Sequence, residues 1–362
     1  MSRSKRKDEH LLIASRAKPE RADFTEISLV HDCLPEIDLG QISLETNYLG
    51  RTHRSPLFIN AITGGTVLAR AINASLAVVA RQLSLPMAVG SQLVALKNPA
   101  CRESFTVVRE FNPHGQIWAN IGSYATVEMA LQAIEMVRAD ALQIHLNVAQ
   151  ELAMNDGECT FSGALERIKE IVQKVDVPVI VKEVGFGMAA EAVAKLTATG
   201  VKALDCGGRG GTDFLKIEAI RHGQVRPNQL KTWGIPSAIS LIETLKTADS
   251  GSTEVFAGGG VWEATDLAKA LVLGARAVGL AGMPLYYLMR KGHGALVRKL
   301  ESVEKELKAI MLSIGAGSVR QLSEKPLVIS GYTAEWLERR GFDPNHYARR
   351  SLTVSGEKHN DA

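Results

Sequence analysis

The sequence predicts an α/β fold, a (β/α)8 TIM barrel with an N-terminal arm and a C-terminal helical extension. Three observations predict it. From Leu57 onward, eight short apolar runs alternate with helical patterns, which favours a parallel sheet closed into a barrel. The last two runs, Thr253–Phe256 and Arg276–Val278, each feed a glycine turn, Ala257-Gly258-Gly259-Gly260 and Val278-Gly279-Leu280-Ala281-Gly282. Glycine lets backbone N–H groups approach an anion, so two such turns on the last two strands match the phosphate corner of a barrel. Finally, the strand ends are polar where the strand bodies are apolar. An open doubly wound sheet is the alternative, which periodicity alone does not exclude.

Taken in order, residues 1–55 form an arm and lead-in, 56–315 the barrel and 316–362 the extension. Residues 1–10, with Arg3, Lys5, Arg6, Lys7, Asp8, Glu9 and His10, read as a mobile polar arm, and 24–50 as a lead-in that caps the barrel bottom. Strands are expected at 57–62, 86–90, 116–121, 141–147, 178–182, 202–206, 253–257 and 276–280. Helices are expected at 67–83, 126–138, 164–175, 188–198, 236–247 and 263–273, then through about 314, with a short segment over 326–340. Two connections are long, 148–162 and 207–235, and long loops in compact domains usually serve function. The second carries Arg209, Lys216, Arg221, His222, Arg226 and Lys231. It reads either as a lid over an anionic ligand or as a solvated basic loop.

Composition narrows the function. A hydrophobic share of 46% with 22% charged residues describes an ordinary globular chain. A net charge of +3 and 5% aromatic residues offer neither the field nor the stacking surface of a nucleic-acid binder. No apolar run spans a membrane, and no h-region follows the basic N-terminus. Cys33, Cys101, Cys159 and Cys206 form no CxxC pair. That argues against a disulfide framework and a zinc knuckle, and fits a cytoplasmic location.

In a barrel the C-terminal strand ends line the site. Here they present Ile62-Thr63-Gly64, Ser91-Gln92, Asn120, His145-Leu146-Asn147 followed by Gln150-Glu151, Lys182-Glu183, and Asp205 before Gly207–Gly211 and Thr212. A phosphate belongs at the last two glycine turns. Asn120, Lys182, Thr63 and Thr212 then supply amide, ammonium and hydroxyl groups for a planar polar ring, and FMN meets both requirements. A lysine near the N1–C2=O edge would stabilise the anionic reduced ring, though an ion pair is the plainer role for Lys182. Glu151 is a lone carboxylate, suited either to Mg2+ completed by substrate phosphates and water or to a helix start. His145 is a site histidine by its strand-end position, or a satisfied core histidine by its apolar strand.

These motifs resemble the FMN-dependent type 2 isopentenyl-diphosphate delta-isomerases. The resemblance runs from Arg6-Lys7-x-x-His10 to the barrel end and rests on Ile62-Thr63-Gly64-Gly65, Gly90-Ser91-Gln92, His145-Leu146-Asn147-x-x-Gln150-Glu151, Val181–Gly187, Gly210-Gly211-Thr212, Trp233-Gly234-Ile235-Pro236 and Ala257–Gly260. It implies an isomerase that interconverts isopentenyl and dimethylallyl diphosphate, with reduced FMN as acid and base, Mg2+, and a reductant such as NADPH. Arg6, Lys7, His10, Ser91, His145 and Asn147 would bind the diphosphate, Glu151 would hold Mg2+, and Gln150 would be the catalytic residue beside the alkene. Ile62, Thr63, Gly64, Ser91, Asn120, Lys182, Thr212, Gly258, Gly259, Gly260, Ala281 and Gly282 would contact FMN. A homotetramer or larger assembly is implied too.

The chain departs from the family pattern in three places. Leu93 stands where an arginine is usual, Gly207 where a serine is usual, and Val261-Trp262 in the region of a second arginine. An arginine on a diphosphate makes charge-assisted hydrogen bonds of ~1.5–3 kcal/mol each, and Leu93 makes none. Three other readings compete: a hydride-transferring FMN oxidoreductase of the 2-hydroxy-acid oxidase type, a phosphate-binding barrel without flavin, and a scaffold. The first needs a histidine base after strand six, where Asp205–Gly211 offers none.

Overall fold

The computed structural model describes residues 3–16, 24–154, 157, 159–222, 233–248 and 252–351, with the side chains of residues 3–6 and 222 outside the description. Eight parallel strands close into a barrel: β1 (Leu57–Ile59), β2 (Met87–Ala88), β3 (Ile117–Gly122), β4 (Ala141–Leu146), β5 (Val179–Glu183), β6 (Ala203–Asp205), β7 (Glu254–Ala257) and β8 (Ala277–Leu280). Closure is the pairing of β8 with β1, which sets Val278 against Leu57, Gly279 against Phe58 and Leu280 against Ile59. Outward residues such as Leu57, Ile59, Ile121, Ile144, Val181 and Leu204 are buried beneath the surrounding helices. That double burial makes the strands continuous apolar runs.

Inward positions recur every second residue. One inward layer is Phe58, Ala88, Trp118, Ala141, Ile180, Ala203, Phe256 and Ala277, all buried together. Two residues further along each strand stand Asn60, Gly90, Asn120, Gln143, Lys182, Asp205, Gly258 and Gly279. The barrel is thus apolar below and polar or glycine above.

The lower end is plugged, as the lead-in predicts. Thr46–Tyr48 pairs antiparallel with Arg51–His53. The two-residue turn between them has positive φ at both Leu49 (50°) and Gly50 (72°), the pattern of a type I′ hairpin. Tyr48 and Leu49 enter the apolar layer, and the Leu49 N–H donates to Glu254 Oε2 at 2.8 Å.

The expected helices form within a few residues of their predicted bounds, several with visible caps: Thr66 Oγ1 accepts from Ala69 N at 3.0 Å and Thr126 Oγ1 from Met129 N at 3.3 Å. The structure corrects the arm: residues 3–10 belong to a helix, Arg3–Arg16. The side chains of Lys7, Asp8, Glu9 and His10 are held by specific polar partners, which leave no hydrophobic periodicity to reveal the helix. Both long connections also contain helices, Val148–Ala153 and Phe214–His222. In the 326–340 segment, strand Leu327–Ile329 pairs antiparallel with Ile27–Leu29, joining extension to lead-in, and helix Gly331–Arg339 follows.

Glu243, fully buried, clamps that last helix to the barrel. Its carboxylate accepts from Trp336 Nε1 (2.9 Å), Ala190 N (2.8 Å) and Arg340 Nε (3.1 Å). Burial alone would raise its pKa, but Arg340, Trp336 and the Ala190 N–H outweigh it and hold the group below the ordinary 4.5. A depressed carboxyl pKa contributes stability that is full above the unfolded value and lost as pH falls through the folded one. Acid titration of Trp336 fluorescence should therefore show the helix loosening only below pH 4.5. Glu243→Gln should lose that acid transition and about 1–3 kcal/mol of stability; an unchanged transition would show that the clamp is idle.

Candidate active site

A cavity of about 410 Å³ opens at the C-terminal mouth of the barrel, within the range of small-molecule sites. Its floor is the upper inward layer, through Asn60, Gly90, Asn120, Lys182, Asp205, Gly258 and Gly279. The glycines keep it open. A Cβ at Gly90 would lie 2.6 Å from the Thr63 backbone, one at Gly258 2.9 Å from Asp205 Oδ1, and one at Gly279 2.6 Å from Asn60 Nδ2.

The glycine turns after β7 and β8 form one corner of the mouth. Gly259 and Gly260 take φ of +91° and +78°, and a Cβ on Gly259 would sit 2.1 Å from Gly208 O. Ser237 Oγ holds this turn by donating to Gly259 O at 2.8 Å. Beside it, helix Gly282–Lys291 starts at Ala281 with no side-chain cap. The first N–H groups of a helix have no intrahelical partner, and Gly282 and Met283 both line the cavity. That end suits an anion.

Across the floor runs a line of buried side-chain hydrogen bonds. Asn60 Nδ2 donates to Asp205 Oδ2 (2.7 Å), Gln143 Nε2 to Asn60 Oδ1 (3.0 Å), Asn120 Nδ2 to Gln143 Oε1 (3.0 Å), and His145 Nδ1 meets Asn120 Oδ1 (2.8 Å). Burial, then Lys182 and Lys7, push His145 down to about 3, so the ring is neutral near pH 7. Burial raises the Asp205 carboxyl, against Lys182, Asn60 and the Gly207 N–H. Burial lifts Glu183 to about 7, although its Oε2 accepts the N–H groups of Val184, Gly185 and Phe186 at 2.7, 2.9 and 2.7 Å. Cys206 is pushed up to about 12 by burial and by Asp205, which leaves it inert as a nucleophile.

The N-terminal helix lies over the mouth. Lys7 Nζ donates to Ser91 O at 3.1 Å, Thr66 Oγ1 to Asp8 Oδ1 at 2.6 Å, and Arg221 Nε to Glu9 Oε2 at 2.9 Å. His10 Nε2 contacts Glu218 Oε1 at 2.5 Å, and Arg221 holds the other Glu218 oxygen. Asn147 Nδ2 donates to Glu151 Oε1 at 2.7 Å. Leu11, Met154, Phe214 and Ile217 add an apolar wall.

Of the expected site residues, Lys7, His10, Ile62, Thr63, Ser91, Asn120, His145, Asn147, Gln150, Glu151, Lys182, Thr212, Gly258–Gly260, Ala281 and Gly282 line this one cavity. Gly64 does not: a side chain there would overlap the Phe105 ring at 2.0 Å. The Arg6 side chain, Arg226 and Lys231 lie outside the described residues. Arg221 serves Glu9 and Glu218 rather than the cavity. Leu93 does line it, and so does Lys97 one helical turn on, a cation in the neighbourhood of the missing arginine. Asn60, Gln143 and Glu218 went unnoticed in the sequence. The first two were findable by counting two residues on from the inward Phe58 and Ala141.

Closed barrel, polar floor and a cavity at the C-terminal mouth define an α/β barrel enzyme. A family model for FMN-dependent dehydrogenases matches residues 102–329. An isopentenyl-diphosphate delta-isomerase of Bacillus licheniformis is 45% identical over 97% of this chain and 100% of its own length. One from a Geobacillus species is 47% identical over the same shares. The chain belongs to the FMN-dependent isopentenyl-diphosphate delta-isomerase family. Among solved structures, a mandelate oxidase variant with a monooxide FMN adduct superposes with a TM-score of 0.62 over 89% of this chain and 92% of that one, at 18% identity. At that identity the likeness concerns the fold alone. Among the described residues, no helix is long and apolar enough to cross a membrane.

Because Gly259 combines positive φ with a 2.1 Å approach to Gly208 O, Gly259→Ala should weaken FMN binding at least tenfold, or by ~1.4 kcal/mol. Fluorimetric titration measures it, and full affinity in the variant would remove the turn from the phosphate site.

Proposed function

We propose that the protein interconverts isopentenyl diphosphate and dimethylallyl diphosphate on FMN seated on the barrel floor. The observation that carries this is one cavity holding both a glycine phosphate corner and the His145-Leu146-Asn147-x-x-Gln150-Glu151 stretch, in a chain close to relatives named for that reaction. The donors fit the cofactor. Gly258–Gly260, Ala281 and Gly282 would take its phosphate, and Ile62, Thr63, Ser91, Asn120, Lys182 and Thr212 its ring and ribityl chain. Lys182 is buried and already directs its ammonium group at a carbonyl, donating to Glu183 O at 2.6 Å. When bound, reduced FMN supplies an acid–base nitrogen and a ring face that tolerates developing cationic charge.

The chain's own groups do the rest. Arg6, Lys7, His10, Ser91, His145 and Asn147 bind the diphosphate, and Gln150 positions the alkene. Leu11, Met154, Phe214 and Ile217 keep water from it. Glu151 holds Mg2+; among the described residues no cluster of three acidic, histidine or cysteine side chains could hold a metal. The metal would therefore draw its other ligands from substrate phosphate and water, the usual habit of Mg2+. NADPH serves only to reduce the flavin. The division into 1–55, 56–315 and 316–362 separates cover, catalytic barrel and buttress, and the enzyme works in the cytoplasm as a homotetramer or larger. For a hydride-transferring oxidase no observation speaks beyond the shared fold: among the described residues the histidines lining the cavity are His10 and His145, and neither lies on β6.

Purified protein with FMN, Mg2+ and NADPH should convert isopentenyl diphosphate over many turnovers per NADPH consumed. One NADPH spent per product would overturn the isomerase reading. Replacing FMN by its 5-deaza analogue should abolish sustained turnover. Two variants separate the roles. Lys182→Ala should weaken FMN binding or shift its potential, whereas Glu151→Gln should raise the Mg2+ requirement and leave the yellow colour. Loss of flavin in Glu151→Gln would make that residue structural.

A further inference from the structure

The amide chain beneath the cavity has a direction, and we infer that it holds His145 as the Nδ1–H tautomer, with Gln143 as the positioning residue that transmits the choice. The direction is fixed at its far end. Ala61 N, which can only donate, lies 2.8 Å from Asn60 Oδ1, so Asn60 must turn Nδ2 toward Asp205 Oδ2, at 2.7 Å. Asn60 Oδ1 then accepts from Gln143 Nε2, which turns Gln143 Oε1 toward Asn120 Nδ2. Asn120 is left facing His145 with its oxygen, and an oxygen at 2.8 Å requires a proton on Nδ1. Each amide has one acceptor side and one donor side, so none can turn over without breaking two bonds in a site where unmade bonds are costly. Gln143 is the link that can be changed without touching a ligand. It is 0% exposed and absent from the cavity lining.

The tautomer decides how His145 meets an anion. With the proton on Nδ1, Nε2 offers a lone pair, which a phosphate oxygen repels. Resting on the function proposed above, entry of the diphosphate brings one proton from solvent onto Nε2. Nδ1–H continues to donate to Asn120, and Nε2–H now donates to phosphate. The opposite tautomer would donate from Nε2 with no proton taken up. Lys182 and Lys7 act on the ring from β5 and the N-terminal helix, and a bound diphosphate offsets both. Glu151, Glu183 and Asp205 share the same lining.

Flavin-loaded enzyme labelled with nitrogen-15 on its nine histidines, with His145→Gln to assign the signal, reports the tautomer from the two ring shifts before any substrate is added. Wild type should show Nδ1–H alone at pH 7. Gln143→Glu should keep it, because either carboxyl state still accepts from Asn120. Gln143→Met, which accepts nothing, should let Asn120 turn over and populate Nε2–H. Calorimetry with isopentenyl diphosphate in buffers of different ionisation enthalpy should then show about one proton taken up in wild type and Gln143→Glu, and clearly less in Gln143→Met. An Nε2–H ring in wild type, or a pure Nδ1–H ring in Gln143→Met, overturns the inference. Isopentenyl diphosphate that fails to bind while the tautomer behaves as stated would instead overturn the substrate.

Discussion

Inward-facing positions recur every second residue along a strand, and in this barrel one such step, roughly 7 Å, carries the interior from packed aromatic rings to amides and ions. The lower layer, with Phe58, Trp118 and Phe256 in contact, is what a barrel core requires. The layer above it spends the same positions on Asn60, Asn120, Gln143, Lys182 and Asp205, with glycine at the remaining three. Buried polar groups are tolerable only when they satisfy each other. The chain from Asp205 Oδ2 to His145 does this for the three amides, and Lys182 donates to Glu183 O, while Asp205 Oδ1 has no hydrogen-bond partner among the described residues. The cavity exists because that network stands on a rigid apolar base and three glycines leave space beside it.

This arrangement ties folding to chemistry at the level of single atoms. A methyl group at Gly279 would press on Asn60, and one at Gly258 on Asp205, so residues that look like spacers also guard the network. The same economy appears in the cover. Lys7 engages Ser91, Asp8 engages Thr66, and Glu9 and His10 engage the helix Phe214–His222, so a helix with little apolar surface still has a defined seat.

How much of this could be read from the sequence follows from which forces leave a periodic trace. The strands were legible because double burial makes Ile117–Gly122 or Ala141–Leu146 mostly apolar, and the barrel helices because one face is apolar. The glycine corner was legible because Gly258–Gly260 directly follows a predicted strand. The helix Arg3–Arg16 was not, since its partners are polar and lie from 58 to 275 residues away. Glu218 was hidden for the same reason, as its meaning comes from His10 and Arg221. Gln143 was hidden differently: flanked by Leu142 and Ile144, it looks like an irregularity in a strand until neighbouring strands place Asn60 and Asn120 beside it.

The hairpin at the lower end has a consequence for traffic. Tyr48 and Leu49 stopper the barrel from beneath, so among the described residues the way to the floor runs through the mouth. A flavin seated on that floor, as proposed above, would be covered by the substrate, and the substrate by the N-terminal helix. On that proposal, order of arrival would be a property of the architecture rather than of relative affinities, the cofactor a resident and the substrate a visitor.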